Sequence, residues 1–253
     1  MNLMKNSLMI TLLLVIAFQG FSQETNDKKA KLNVGADIFS RYVWRGQDYG
    51  QSPSLQPSIS IVKGGFEAGV WGAYASNGGY SETDPYIKYT LKGLSLILTD
   101  YFIHNEQYSN NINQLKSSNF LHFDDKTTPH IFEGALQFKG GEKFPISIYA
   151  GTFFYGLDKG WGYDSTKDAK GDNYYSTYVE FGYTFNCNER KFDLFLGLTP
   201  FEGAYGNGFG VVNTGITGYR NIKITSDFEL PVKATVAVNP QSENIYFVFG
   251  ITF

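Results

Sequence analysis

The chain has few of the features that define most protein classes. It has one cysteine, Cys187, so it contains no internal disulfide framework. After residue 22 no apolar run is long enough for a membrane-spanning helix, and no segment shows helical 3.6-residue periodicity. The formal net charge is −3, which argues against a nucleic-acid partner.

Residues that commonly perform catalysis or bind metals are also scarce. The three histidines, His104, His122 and His130, are spaced 18 and 8 apart, which matches no standard metal-binding motif. Asp124 and Asp125 lie near His122, but no Gly-x-Ser-x-Gly nucleophile motif is present. We therefore expect no catalytic residues, no metal and no cofactor, and the chain is not expected to be an enzyme.

The N-terminal segment has the layout of a secretory signal peptide. Lys5 precedes an apolar stretch at 7–20, and Gly20 and Ser22 are small residues at −3 and −1 to a cut before Gln23. No cysteine lies near this cut, so a lipoprotein is excluded. The alternative is an N-terminal anchor helix. We predict a cleaved signal peptide at 1–22 and one domain at 23–253.

The rest of the chain alternates apolar and polar residues with a period of two. Aromatic residues make up 17% of the chain, yet the mean hydropathy is −0.23, as expected when every second residue faces water. The first segment, 31–46, places Leu32, Val34 and Ile38 on one face and Asp37 and most other charges on the opposite one. Similar apolar faces recur at 55–61, 66–74, 87–91, 94–102, 132–138, 146–154, 175–185, 192–198, 212–216, 230–238 and 245–253.

This pattern predicts about twelve strands in an all-β transmembrane antiparallel barrel. Short connections at 63–65, 92–93, 140–143 and 186–190 alternate with longer ones, which is typical of short periplasmic turns and longer extracellular loops. The region 219–229 is ambiguous between a long strand and an extended turn. The loops 104–129 and 156–172 are expected outside, where they could fold inward and constrict the barrel.

A secreted β-sandwich or a lipocalin-like barrel would show the same alternation, with the apolar face inside. Two features favour the membrane barrel. Aromatic residues cluster near strand ends, as interfacial girdles do. The last strand also resembles the C-terminal insertion signature of outer-membrane barrels, with one large residue at every second position: Ile245, Phe247, Phe249, Ile251 and Phe253.

The opposite parity would place charged residues in the lumen of such a barrel. The candidates are Arg41, Arg45, Glu67, Lys88, Asp100, Glu133, Glu180, Asp193 and Lys233. Either these charges pair and block a narrow lumen, or they line a hydrated pore and select its solutes. Arg41 and Arg45 would lie on one face of the first strand, about 13 Å apart.

Several short motifs resemble the TorF family of outer-membrane porins. They are Ser40, Tyr42, Arg45 and Gly46 in "SRYVWRG", then Gln51, Ser52, Pro53, Leu55 and Gln56, then Ala68, Gly69 and Trp71, and finally Asn239 and Pro240. The similarity covers both ends of the mature chain well and the middle poorly. It implies one outer-membrane barrel with a diffusion role, and it supplies no catalytic residues.

The sequence thus predicts a porin-like channel in the outer membrane of a Gram-negative bacterium, reached by export. Small hydrophilic solutes would pass through a narrow, charged lumen. The other expected partners are outer-membrane lipid and the barrel-assembly machinery, which would bind the C-terminal strand. The alternative is a non-conducting barrel with a structural or extracellular-binding role, and an outer-membrane hydrolase is the third hypothesis.

Overall fold

The computed structural model describes residues 29–104, 119–125, 128–158, 173–188 and 190–253. The predicted signal peptide at 1–22 lies outside these ranges. Among the described residues, no helix has the length and apolar character needed to cross a membrane.

The described residues form sixteen strands. Twelve of them build the barrel: β1 (Lys31–Phe39), β4 (Ser54–Lys63), β5 (Phe66–Ala75), β6 (Ser81–Leu91), β7 (Leu94–Ile103), β8 (His130–Lys139), β9 (Ile146–Gly156), β10 (Thr177–Cys187), β11 (Arg190–Thr199), β14 (Gly210–Lys223), β15 (Glu229–Asn239) and β16 (Asn244–Thr252). The other four form two short hairpins: β2 (Tyr42–Trp44) with β3 (Gln47–Tyr49), and β12 (Glu202–Gly203) with β13 (Gly206–Asn207).

The twelve long strands form a closed antiparallel barrel. Each pairs with its neighbours along the chain, and β16 pairs with β1 to complete the circle, with Asp37 opposite Thr252 and Phe39 opposite Gly250. The predicted all-β barrel of about twelve strands is therefore confirmed. Closure leaves no exposed strand edge, which is the condition for a sheet to exist in lipid.

Connection length differs between the two ends of the barrel. The strand ends that are joined by 64–65, 92–93, 140–145, 188–189 and 224–228 lie at one end, which we call the short-turn rim. Connections 40–53, 76–80, 104–129, 157–176, 200–209 and 240–243 join strands at the other end, the long-loop rim. The ambiguous region 219–229 is resolved: β14 continues to Lys223, and a turn follows.

The apolar parity of the strands faces outward. Leu32 is 68% exposed, Val34 73% and Phe247 71%, and most other predicted apolar faces are exposed in the same way. A water-soluble barrel would bury these side chains, so the lipocalin-like alternative is wrong. A continuous apolar exterior around a closed antiparallel sheet is the surface of a transmembrane barrel.

Two local features depart from the predicted alternation. The first strand ends at Phe39 instead of continuing to residue 46, because the chain bends at Ser40 and Arg41. Val212, predicted on an outward face, is fully buried. A register shift between Gly197 and Leu198 opposite β14 reverses the parity there.

Candidate functional site

The β2–β3 hairpin, residues 42–49, forms because its turn matches the twist of its strands. Trp44 pairs with Gln47, so Arg45 and Gly46 are the two turn residues. Both have positive φ, 50° and 78°. Two-residue hairpin turns favour this conformation, which glycine adopts without strain and arginine does not.

This hairpin lies across the lumen and contacts several sides of the wall. The Tyr42 ring lies 5.5 Å from the Trp71 ring of β5. The Trp44 ring lies 5.3 Å from the Tyr101 ring of β7. On the opposite side, the Asn239 side-chain amide of β15 donates to the Gly46 carbonyl at 3.1 Å. We call residues 42–49 the plug hairpin.

Gly46 permits the closest approach between the plug hairpin and the wall. A Cβ atom at this position would lie 1.9 Å from the Val212 carbonyl oxygen of β14. Such a distance is well below van der Waals contact, so the hairpin tip reaches the wall only with glycine here.

The β12–β13 hairpin, part of the 200–209 connection at the long-loop rim, packs beside the plug hairpin. The Gln47 side-chain amide donates to the Ala204 carbonyl at 2.6 Å. The Ala204 amide donates to Ser176 Oγ at 2.7 Å, and the Ser176 amide donates to an Asp158 carboxylate oxygen at 2.8 Å. The two hairpins are therefore joined to each other and to the start of β10.

Arg45 is the centre of the plug. Its Nη2 donates to Tyr149 Oη at 2.7 Å and lies 2.8 Å from Glu133 Oε1, while its Nη1 donates to Tyr205 Oη. The guanidinium carbon also lies 4.2 Å from the Trp44 ring centroid, within cation–π range. Arg45 is 7% exposed and Glu133 1%. A buried charge requires such partners to offset its desolvation.

Glu133 is positioned by the wall around it. Tyr101 Oη donates to Glu133 Oε2 at 2.5 Å. Gly151, on the neighbouring strand β9, leaves the space that the carboxylate occupies, since a Cβ there would lie 1.9 Å from Glu133 Oε1. The acceptor for Arg45 is thus fixed by residues from β7, β8 and β9.

Two cavities lie on opposite sides of the packed Trp44 and Tyr101 rings. A central cavity of about 470 Å³ is bordered on β6 by Asp84 and Tyr86. A loop-side cavity of about 190 Å³ is bordered on the same strand by Glu82, nearer the long-loop rim. Trp44 and Tyr101 line both cavities, so their packed rings form the partition. A further cavity of about 640 Å³ opens toward the short-turn rim.

Comparison of this chain with known proteins gives only low similarity. No family model matches the chain, and no curated protein matches it. Among solved structures, a triple mutant of the Rhodopseudomonas blastica porin is similar over 89% of this chain and 99% of its own, with 11% identity and a TM-score of 0.34. The TorF resemblance stays a prediction.

The predicted lumen residues mostly occur in pairs or small clusters. Arg45 pairs with Glu133, Glu67 with Lys88, and Arg41 with Asp48. Asp193 accepts from Thr184 at 2.7 Å and Tyr219 at 2.8 Å. Glu180 accepts from Tyr178 and Asn213, and Lys233 Nζ lies 4.3 Å from the Phe39 ring centroid. Most of these charges are therefore already engaged by other lumen groups.

The prediction that Arg41 and Arg45 share one face of the first strand is wrong. Both follow the end of β1 at Phe39, and Arg45 belongs to the hairpin turn. The strand cannot continue, because the paired positive φ values at Arg45 and Gly46 reverse the chain direction. Arg41 borders the central cavity with a half-exposed side chain, whereas Arg45 is enclosed.

The prediction of a lumen position for Asp100 is also wrong. Asp100 has the same parity as Leu96 and Leu98, which are exposed on the outer wall. Its carboxylate oxygens lie 2.8 and 2.9 Å from His130 Nδ1, and His130 Nε2 lies 2.9 Å from the Phe120 carbonyl oxygen. The described part of the 104–129 connection therefore covers this polar pair on the outside of the barrel, instead of constricting the lumen.

The tyrosines that form the plug were not among the predicted site residues. Tyr101, Tyr149 and Tyr178 have the inward parity of their strands, and Tyr205 lies on the second hairpin. The sequence pattern already places Tyr149 and Tyr178 on the inward face, but it does not indicate that they contact Arg45. No sequence signal would have identified Tyr205, because its position depends on the fold of the 200–209 connection.

One arrangement on the outer wall bears on the hydrolase hypothesis. Ser81 Oγ lies 3.2 Å from His104 Nδ1, near the long-loop rim. Thr83 Oγ1 lies 3.2 Å from His104 Nε2. Because hydroxyls occupy both ring nitrogens, the contacts of the described residues include no carboxylate that would orient this ring, as nucleophilic hydrolysis requires. The described residues also contain no group of three or more side chains suited to a metal ion.

Proposed function

We propose that this protein is an outer-membrane channel of a Gram-negative bacterium, in which the plug hairpin controls the passage of small hydrophilic solutes. The observation that supports this most directly is the Arg45 cluster. Arg45 lies inside the lumen, where it contacts Glu133 and Tyr149 of the wall, and it belongs to an inserted hairpin and not to the wall. A barrel of twelve strands is wider than one that wall side chains fill, so an inserted segment is needed to close it.

The cavities on both sides of the plug support passage. The central cavity is bordered by Asp37, Arg41, Asp84 and Lys233, so charges of both signs border it. The cavity near the short-turn rim is also polar, with Lys139, Glu180 and Asp193 at its wall. A hydrophilic solute that passed Trp44 and Tyr101 would find polar groups along the rest of its path.

Export and insertion belong to the same proposal. A signal peptide at 1–22 would direct the chain through the inner membrane. The apolar residues of β16 would present the assembly machinery with outward-facing Phe247 and Phe249. The short-turn rim would face the periplasm, because short turns are typical of that side.

The packing of the plug favours a second candidate function, a non-conducting barrel. Arg45 makes an ion pair and two hydrogen bonds to the phenols of Tyr149 and Tyr205, and the rings of Trp44 and Tyr101 are in contact. If this layer never opens, the long-loop rim would perform the function, as a binding surface.

Swelling of proteoliposomes distinguishes the two functions. Residues 23–253 would be refolded into vesicles and exposed to glycine, arabinose and a larger disaccharide. Because the plug narrows the path, wild-type swelling should be slow and should decrease steeply with solute size. No swelling above that of empty vesicles, from a barrel shown to be inserted, would contradict the channel and favour the binding role.

A shortened variant provides the comparison. Phe39 and Ser54 are cross-strand partners, so Asn-Gly can replace residues 40–53 and close β1 onto β4. This plug-deleted variant should swell faster with every solute. A matched control replaces the turn 224–228 at the short-turn rim with Asn-Gly between Lys223 and Glu229. The control should swell like the wild type.

A further inference from the structure

The loop-side cavity has a composition that suits one class of ligand. It lies between the plug hairpin and the wall strands β6 to β9, with a volume of about 190 Å³. Since a water molecule has a share of about 30 Å³ in the liquid, this space can hold a small organic molecule. Its lining includes Leu157 and Asp158, which follow the end of β9 at the long-loop rim.

The charges around this cavity are all negative. Asp48, Glu82 and Asp158 line it, and its described lining residues include no lysine, arginine or histidine. One carboxylate oxygen of Asp48 forms an ion pair with Arg41. Glu82 and Asp158 have no such cationic partner among the ion pairs of the described residues. When Glu82 and Asp158 are ionised, the cavity therefore presents an uncompensated negative potential.

Two carboxylate oxygens at this cavity lack hydrogen-bond partners. Glu82 is 3% exposed, Tyr80 Oη donates to its Oε2 at 2.6 Å, and the Tyr42 phenol also interacts with this carboxylate, but Oε1 has no described partner in good hydrogen-bond geometry. Asp48 Oδ1 is buried and lacks a donor in the same way. A buried acceptor without a donor is costly, so these oxygens indicate a missing donor.

Aromatic rings form much of the remaining wall. Trp44, Tyr49, Tyr80 and Tyr101 all line the cavity. The Tyr49 and Tyr80 rings are 5.0 Å apart, and the Trp44 and Tyr49 rings are 6.1 Å apart. The negative faces of such rings attract cations and also pack against alkyl groups.

We propose that the loop-side cavity is a binding site for a small organic ammonium ion. Its N–H groups would donate to Glu82 and Asp48 after a small side-chain adjustment, and its alkyl part would contact the rings. A neutral molecule would leave the carboxylates uncompensated. A metal ion would make no use of the aromatic wall, and the described carboxylates do not converge as metal ligands do.

This site goes beyond the proposed channel, because its occupancy is measured without any current. The protein would be refolded in detergent micelles, and n-butylammonium chloride would be titrated in while tryptophan fluorescence or the heat of binding is followed. Sodium chloride would hold the ionic strength constant. The probe 1-butanol has a similar alkyl chain without charge or an N–H donor.

The expected result is saturable one-to-one binding of n-butylammonium and no saturable binding of 1-butanol over the same range. Equal binding of both probes, or a signal that increases linearly with the ammonium salt, would overturn the proposal. This comparison uses the wild-type protein, so it decides the matter even if a variant fails to refold.

A pair of glutamate variants locates the site. Glu82→Gln preserves the side-chain shape and removes the charge, and it should weaken n-butylammonium binding about tenfold or more, the effect of losing one charged hydrogen bond. The control Glu229→Gln makes the same change at an exposed position near the short-turn rim, and binding should be unaffected. Unchanged affinity in a folded Glu82→Gln protein would contradict the assignment.

Discussion

Arg45 of the plug hairpin and Glu133 of β8 form an ion pair inside the barrel, with Nη2 2.8 Å from Oε1. The two residues are 88 positions apart in the chain. Both side chains are almost completely enclosed, so the pair is shielded from the screening that weakens surface ion pairs. It attaches the plug hairpin to the wall.

Replacing Arg45 by alanine should destabilise the protein strongly. The change leaves the buried Glu133 carboxylate without its cation, and breaking a buried pair typically costs about 3–5 kcal/mol. Lys191→Ala is the matched control, because the side chains of its ion pair with Asp193 are 52% and 28% exposed. It should cost at most about 1 kcal/mol. Urea unfolding in lipid vesicles, followed by tryptophan fluorescence, measures both. Equal losses would show that Arg45 is not the main attachment.

Gly46→Ala should displace the plug hairpin, because a Cβ there would lie 1.9 Å from the Val212 carbonyl oxygen. Gly78→Ala is the matched control: Gly78 has a similar positive φ of 71°, but a Cβ there would meet no atom within 4 Å. The control should lose only about 1 kcal/mol from the strained backbone. The rate at which an added protease cleaves the plug hairpin, compared with the rate in the wild type, measures the displacement. Equal resistance in both variants would contradict this close contact.

The Asp100–His130 pair should show strong coupling on the outer wall. His130→Leu leaves the Asp100 carboxylate without its partner on an apolar surface. The change should lower the free energy of unfolding by about 1–3 kcal/mol. The double variant Asp100→Leu/His130→Leu should lose less than the single one, because no charge remains unpaired. A double-mutant cycle in urea measures this. Additive losses would mean that the two residues do not depend on each other.

Binding of n-butylammonium should strengthen as the pH rises through about 6. Burial raises the pKa of the Asp158 carboxyl to about 6, although hydrogen bonds from Ser176 and the Tyr175 amide oppose this. The ionised carboxylate attracts the cation, and the protonated form does not. Between about pH 5 and 7 the ligand stays charged, so the change reports on the protein, where Asp158 lines the cavity together with Glu82 and Asp48. Asp158→Asn should flatten the affinity profile, and an unchanged slope would exclude Asp158 as a contributor.

The sequence predicted the wall of the barrel well, because the wall follows from a local rule. Residues such as Leu96, Phe181 and Phe247 alternate with polar neighbours, and the twelve strands follow this period of two. Which parity faced outward did not follow from alternation alone. The prediction of the outward parity depended on the C-terminal strand and the aromatic girdles. The exposed apolar side chains of the structure confirm that parity.

The plug was not predicted, because it follows from a turn and not from alternation. The stretch from Tyr42 to Trp44 continues the apolar parity of β1, so periodicity extended the strand through it. The dipeptide Arg45-Gly46 is a turn signal that could have ended the strand earlier. The partners of Arg45 come from strands far along the chain, and only the closed barrel brings Glu133 and Tyr149 to it.

The side of the sheet on which Asp100 lies could have been read from the sequence. It has the same parity as Leu94, Leu96 and Leu98, so a consistent count places it outside. Asp100 was assigned to the lumen because it is charged. The outer wall accepts it because His130 and the 119–125 segment cover it.

The central claim is that the plug hairpin closes the lumen, and single-channel recording in a planar lipid bilayer tests it most directly. Three refolded proteins would be compared: the wild type, the variant with Asn-Gly in place of 40–53, and the control with Asn-Gly in place of 224–228. The account predicts rare or small current steps for the wild type and the control, and large, stable steps for the plug-deleted variant. Equal conductance in all three folded, inserted proteins would contradict it.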